Sequence, residues 1–415
     1  MRNNFFKNLS YLTLIQISNT LIPLLIIPYI SRIIGVDNFG NLEYSRVFCY
    51  YFTIFINYGF DLTITREISL NRENPQMIRK LVNQTIFAKF FLLFISTIGF
   101  FILLGEYEGI KSIKLLLILT FLINIGYVLY PIWFFQGIEK MAKISIVSFF
   151  SKLIVALFTI LLIVKESDYW LYNFFQSLAM IGVGIYALYI VYIKYNIKFE
   201  KPDINFIKRV LKQGFPVFIG TILVTIITSL FFIFLKDYSN TTELAKFSTS
   251  NKLIASIQLM ILLPFSQAFF PLINNKFAES KEKFIEYINL AAMTLFVITL
   301  LQGIITILFP ELIITVIFGK EFTVAKESLQ ILAFLPMFAS LMNVYGYQGL
   351  LTLKKDKIFL YVHIFFALLC IVINIIYINN YNTLTASYIR IGIEILMFIT
   401  CFVLFNYYIK KWKKS

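Results

Sequence analysis

Twelve long apolar runs fill this chain, and they constrain its fold more than any other feature. They lie near 9–31, 41–62, 82–104, 113–136, 144–164 and 170–193 in the first half, and near 210–235, 246–273, 285–309, 328–352, 358–378 and 383–409 in the second. A bilayer core about 30 Å thick takes roughly 20 apolar residues per helical crossing. Lipid gives an open backbone no hydrogen-bond partner, and the runs are too long and too evenly apolar for barrel strands, so each reads as a helix. Twelve crossings would leave about 175 of the 415 residues for tails and connections. The expected fold is an all-α polytopic membrane protein of about 12 transmembrane helices, with no large extramembrane domain.

Composition agrees. The chain is 59% hydrophobic and only 14% charged, with mean hydropathy +0.80, whereas soluble domains are near half apolar and a quarter charged. The formal net charge of +15 would ordinarily suggest nucleic acid. Its distribution suggests topology instead. The two tails and the connections after the even-numbered runs hold 24 Lys and Arg, against 8 on the opposite side. By the positive-inside rule both termini face the cytoplasm. The basic linker carrying Lys194, Lys198, Lys201, Lys208, Arg209 and Lys212 lies on that side too, and divides the chain into an N-terminal six-helix lobe, 1–200, and a C-terminal one, 201–415. No small-residue cleavage site follows the basic start of the chain, so the first run reads as a retained helix rather than a signal peptide. Cys49, Cys370 and Cys401 stand alone in apolar runs, which supports neither a disulfide framework nor a zinc site.

With charges just inside a run's end assigned to the nearer connection, five cations remain inside the runs: Arg46, Lys89, Lys152, Lys252 and Arg390. A charge at mid-bilayer costs about 2.5 kcal/mol or more, so it marks a cavity-lining group unless it snorkels or pairs. Arg46, Tyr50, Thr53, Asn57 and Asp61 recur at spacings of 4, 3, 4 and 4, a polar stripe on one helical face. Glu43 stands three residues before Arg46, and Arg390 and Glu394 are four apart, so both are placed to pair. Lys89 shares a face with Thr85 and Ser96, Lys152 neighbours Ser148 and Ser151, and Lys252 runs with Ser256, Ser266 and Gln267. Against these five cations stand Glu43, Asp61 and Glu394, an excess that favours an anionic solute. The acids could instead serve ion coupling, since a carboxylate in an apolar setting can exchange protons. His363, alone among aromatic neighbours, reads more as a packing residue than as a titrating one.

Several chemistries are missing from the sequence. It contains no GxxxxGK[ST] phosphate loop, no HExxH and no GxSxG. The longest connection on the outer side, 310–327, is short for a membrane glycosyltransferase or polymerase. An enzyme is therefore not expected, and neither a cofactor nor a metal is implied. Prolines inside the runs, among them Pro23, Pro28, Pro131, Pro216, Pro264, Pro271 and Pro336, mark kinks or freed carbonyls.

Five segments carry a family resemblance. They are Pro28 through Gly40 (PYISRIIGVDNFG); Asn57-Tyr58-Gly59-Phe60 with Arg66-Glu67-Ile68-Ser69; Trp133 through Met141 (WFFQGIEKM); Gln213-Gly214-Phe215-Pro216; and Pro264 through Pro271 (PFSQAFFP). In this order they resemble the bacterial polysaccharide repeat-unit (O-antigen or capsule, Wzx-type) flippases of the multidrug/oligosaccharidyl-lipid/polysaccharide (MOP) exporter superfamily. The resemblance implies a V-shaped, MATE-like pair of six-helix lobes in the bacterial inner membrane. Its cargo would be an undecaprenyl-diphosphate-linked oligosaccharide, flipped from the cytoplasmic to the outer leaflet by alternating access and driven by a proton or sodium gradient. Membrane lipids, a polysaccharide polymerase and chain-length machinery are the implied partners, with no nucleic acid. Carried onto this chain, it makes Arg32, Arg46, Arg66, Lys89, Lys152, Lys252, Arg390 and Asn57 candidates for the substrate, and Asp61 and Glu394 candidates for ion coupling. Two other functions are compatible with a polytopic chain and fit it less well. A cation-coupled multidrug exporter of the same superfamily would want an acid-rich site, and a membrane-embedded glycan polymerase or ligase would want longer outer loops.

Overall fold

The computed structural model describes residues 2–414, and side chains from 22 to 412 apart from 263, 267, 268, 270, 271, 274–276 and 278. The face shared by Lys252 and Gln267 falls partly on side chains outside those described.

Among the described residues every regular element is helical. The chain forms two compact units, 1–222 and 223–415. The first holds α1 (Arg2–Asn57), α2 (Phe60–Leu70), α3 (Pro75–Glu106), α4 (Lys114–Phe121), α5 (Ile123–Leu129), α6 (Ile132–Gly137), α7 (Ala142–Leu162), α8 (Trp170–Tyr189) and the start of α9 (Ile204–Tyr238). The second holds the rest of α9, α10 (Thr241–Glu279), α11 (Lys281–Leu308), α12 (Pro310–Ile317), α13 (Lys326–Leu332), α14 (Leu335–Met342), α15 (Asp356–Ile376) and α16 (Thr383–Lys414). Among the described residues nine helical stretches are long and apolar enough to cross a membrane, or ten when a bent pair spanning α13 and α14 counts as one.

One of the nine, Ile22–Leu70, is 49 residues long. At 1.5 Å per residue that would be roughly 70 Å, more than twice the bilayer core, so it cannot be a single crossing. Gly35 divides it. Its φ of 74° and ψ of 175° are open to glycine and closed to side chains with a Cβ, and they kink α1 between the first two apolar runs. A second break follows at Tyr58 (φ 47°) and Gly59 (φ 78°), where sequence spacing gives one unbroken helix to residue 62. The run near 113–136 is divided too, into α4, α5 and α6, with Pro131 between the last two.

Side-chain burial identifies the lipid-facing surface. Phe90, Phe94, Ile98, Phe101 and Ile102 on α3, and Phe150, Ile154, Leu157, Phe158 and Leu161 on α7, are all exposed at helical spacing. A soluble protein would cover such stripes, and a membrane protein turns them to hydrocarbon.

Within the first unit, Phe60, Ile64 and Ile68 of α2 pack with Trp133, Phe134 and Phe135 of α6 in one buried cluster. The Thr65 hydroxyl reaches the Trp133 carbonyl and Gln136 Oε1, each at 3.2 Å. The family-like stretch from Trp133 to Gly137 is thus a helix-packing element. Two more such segments interlock, since a Cβ on Gly214 would lie 2.5 Å from the Tyr58 carbonyl and one on Gly59 would lie 2.6 Å from Val217. Tyr58 also stacks on Phe218 at 4.8 Å. At the crossing of α5 and α8, Gly126 and Gly184 let the backbones approach as small residues do in membrane helices.

Candidate functional site

The stripe on α1 survives the break at Tyr58 in an altered form. Arg46 and Asn57 from α1 and Asp61 from the first turn of α2 line one cavity of about 360 Å³. Lys152 joins them from α7 with Ser148 and Ser151, α8 contributes Tyr172, Asn173 and Gln176, and Thr120, Tyr127 and Tyr130 come from α4, α5 and the turn after it. A second cavity of about 320 Å³ adjoins it, sharing Arg46, Thr120, Ile123 and Tyr127 and adding Glu43, Tyr50 and Thr53. Thr53 itself turns aside and hydrogen-bonds Asn124 Oδ1 at 2.7 Å. Asn173 ties the wall together, donating to Thr120 Oγ1 at 3.0 Å and to the Leu42 carbonyl at 3.3 Å.

The charges of this cavity are not equally engaged. Arg46 Nη1 meets Glu43 Oε1 at 2.9 Å, yet 45% of the Arg46 side chain stays accessible, against 11% for Glu43. Lys152 donates to the Gln176 side-chain carbonyl at 3.3 Å. Among the described residues no carboxylate lies within ion-pair distance of it, and the neighbouring charge it feels is that of Arg46, which repels it. Asp61 turns one buried oxygen, Oδ1, to no hydrogen-bond partner, and it lies within electrostatic reach of Lys89. Of the two carboxylates lining these adjoining cavities, Glu43 pairs with Arg46 and Asp61 lies within electrostatic reach of Lys89, whereas Lys152 has no carboxylate at ion-pair distance among the described residues.

Lys89 itself does another job. It is 1% exposed and does not line the cavity; its ammonium donates to the Tyr127 carbonyl at 2.7 Å. In an unbroken helix that carbonyl would accept the N–H of residue 131, and Pro131 has none. Lys89 satisfies the acceptor that the proline frees, in a setting where an unsatisfied carbonyl is expensive. The sequence shows the lysine and the proline separately, and only the fold shows that one answers the other.

The other sequence candidates lie elsewhere. Arg32, just before the Gly35 bend, and Arg66, on α2, are exposed and absent from the lining of this cavity. Lys252, on α10 of the second unit, is half-buried and makes an interaction of its own. In that unit Arg390 and Glu394 pair across one turn of α16, Nη1 to Oε2 at 2.6 Å, beside a cavity of about 180 Å³ that His363, Asn343 and Gln258 also line. His363 Nδ1 lies 2.9 Å from the Phe359 carbonyl. Sequence reasoning passed over Tyr172, Asn173 and Gln176. Tyr172 and Gln176 are one turn apart on α8, a stripe without charge that a search for charges misses.

An all-helical protein with exposed apolar stripes and a charged cavity between its helices has the build of a multi-pass membrane protein whose cavity is its functional site. Comparison with known proteins supplies the family. Residues 5–277 match the family described as "Polysaccharide biosynthesis protein", and the chain belongs to it. It is 30% identical over 357 residues to a protein of Escherichia coli (strain K12) named "Putative O-antigen transporter", covering 85% of both chains. A protein of the same name from Shigella dysenteriae is 26% identical, with 85% of this chain and 87% of that one covered. Among solved structures, a multidrug resistance MATE family transporter of the MOP superfamily superposes with a TM-score of 0.71 over 98% of this chain and 99% of its own. At 15% identity that likeness concerns the fold. The family and the two relatives agree with the polysaccharide resemblance read from the five segments, and the solved structure agrees with the MATE-like fold it implied.

Proposed function

We propose that this chain flips a diphosphate-linked oligosaccharide lipid from the cytoplasmic to the outer leaflet of the bacterial inner membrane by alternating access. The observation that carries this reading is Lys152, an ammonium held in a membrane cavity beside Arg46 with a side-chain amide as its nearest partner. Two cations that repel each other in a low-dielectric cleft are relieved by an anion, and the diphosphate of a polyprenyl-linked glycan is one. The names of the two relatives point to the same cargo class. The threefold bias of Lys and Arg supports cytoplasmic termini. Asp61, which lines the same cavity as Lys152 and Arg46, is the better placed of the two coupling candidates for a proton or sodium ion. A polymerase and chain-length machinery would receive the flipped product.

The test is transport by the purified protein in liposomes, with a diphosphate-linked oligosaccharide lipid as cargo. Lys152→Gln should abolish flipping and Lys152→Arg should retain it. Full flipping by both Lys152→Gln and Arg46→Ala would remove the cationic cavity from the mechanism.

A further inference from the structure

A third cavity in the first unit, about 520 Å³, lies among the connections at one end of its helices. Its walls come from three of them. Arg72, Pro75, Gln76, Ile78 and Arg79 belong to the turn into α3, Phe134, Ile138 and Lys140 to α6 and the turn after it, and Tyr195 through Lys198 to the chain leaving α8. All three connections belong to the cation-rich side of the topology.

The cavity is built rather than incidental. Arg72 is clamped by the Gly137 carbonyl at 2.8 Å and by Glu139 at 2.5 Å. Arg79 is held by the Lys198 carbonyl at 3.0 Å, the Phe199 carbonyl at 3.2 Å and Glu200 at 2.9 Å. Asn83 secures the Lys198 carbonyl a second time, at 3.0 Å. α8 ends in a π-helical turn, Ile190–Lys194, and Tyr195 follows it to pack edge-on against Phe134 at 5.3 Å. Glu139 and Asn196, one in each of two bordering connections, hold left-handed backbone at φ 56° and 51°. For Glu139 especially, that conformation persists only where the surroundings impose it.

The chemistry of the wall is mixed. Ile78, Phe134, Ile138, Ile197 and the Tyr195 ring are apolar, while four cations border them. The two arginines are matched by Glu139 and Glu200. The two lysines are not: Lys140 stands over the Tyr195 ring at 5.4 Å, and among the described residues neither it nor Lys198 has a carboxylate at ion-pair distance. A soluble anion would use the lysines and leave the apolar wall bare. A neutral lipid would use the wall and leave the lysines unanswered.

We infer that this cavity binds the phosphate headgroup of an anionic membrane lipid, with Lys140 and Lys198 on the phosphate and Ile78, Phe134, Ile138 and Ile197 against the first part of its chains. Basic pockets between membrane helices near the cytoplasmic surface take such headgroups. The site is separate from the Lys152 cavity and shares no lining residue with it. The two readings therefore stand or fall independently.

Two sources offer this chemistry: a bulk anionic phospholipid or a polyprenyl phosphate. Binding to the full-length protein in neutral detergent, followed by native mass spectrometry, separates them. The probes are dioctanoyl phosphatidylglycerol, dioctanoyl phosphatidylcholine, a short polyprenyl monophosphate and inorganic phosphate. One molecule of a phosphate lipid should bind in preference to phosphatidylcholine, and whichever anionic probe is tighter names the source. The exposed pair Lys140→Gln/Lys198→Gln should weaken that binding about 30-fold, with the unfolding temperature unchanged. Lys140→Arg/Lys198→Arg should keep it. Equal binding of phosphatidylcholine, binding of inorganic phosphate as tight as that of either lipid, or full binding by the Gln pair would overturn the inference.

Discussion

Each unit carries a basic and an acidic side chain on one turn of a membrane helix, and the two pairs differ in what surrounds them. In the first, Glu43 and Arg46 meet at 2.9 Å and leave 45% of the arginine side chain open to a cavity where a second cation waits. In the second, Arg390 and Glu394 meet at 2.6 Å with 6% and 5% of their side chains accessible. A charge in hydrocarbon must be neutralised or kept wet. The second unit closes the account within one turn of α16, whereas the first keeps its charges available to a ligand. Similar spacings, three residues in one pair and four in the other, therefore conceal one pair shut away from its surroundings and one left partly open.

The largest effect expected from this contrast falls on the closed pair. Arg390→Leu or Glu394→Leu alone leaves one buried charge unanswered and should cost about 3–5 kcal/mol, while Arg390→Leu/Glu394→Leu together should recover most of it. Denaturant unfolding in detergent micelles reads both. If the single variants unfold like the parent, the pair is not closed and the contrast fails.

A smaller effect tests the cation set apart from both pairs. Lys89→Met strips the Tyr127 carbonyl of its donor and should destabilise by about 1–3 kcal/mol. Pro131→Ala restores an N–H at the position that carbonyl would use in an unbroken helix. The two substitutions should therefore couple by about 0.5 kcal/mol or more in a double-mutant cycle. Simple additivity would return Lys89 to the list of groups that await a ligand.

The smallest effect lies outside the membrane. The Lys80 ammonium, 2.8 Å from Asp203, and the Phe206 N–H at 3.1 Å hold the Asp203 carboxyl below the usual aspartate range. Its contribution to stability is complete above the ordinary aspartate value and is lost as pH falls through the lowered one. Asp203→Asn should accordingly lower the unfolding midpoint slightly at neutral pH, converge with the parent once pH has fallen through the lowered value, and so flatten the acid limb. An unchanged acid limb would show the contact to be idle in solution.

Much of this was legible beforehand. The apolar runs located the helices because lipid forces a single solution on the backbone. The in-span cations stood out because each is expensive there. Backbone breaks were not legible from periodicity, which carried the helix of Arg46 through Tyr58 and Gly59, and conformation at those two residues depends on close packing against Gly214 and Val217. Nor was the partner of a charge legible. Lys89, Lys152 and Arg390 look alike in sequence, and only tertiary placement distinguishes an ammonium on a carbonyl, an ammonium left over and a guanidinium in a closed pair.

The central claim is that the open charges of the first unit, and not the closed pair of the second, handle the cargo. Liposome flipping of a diphosphate-linked oligosaccharide lipid tests it when Lys152→Gln is measured beside Arg390→Leu/Glu394→Leu, at matched reconstitution. The expected result is loss of flipping in Lys152→Gln, with unfolding within about 1 kcal/mol of the parent, and retained flipping in the double variant. Retained flipping in Lys152→Gln together with loss in a stably folded Arg390→Leu/Glu394→Leu would contradict it.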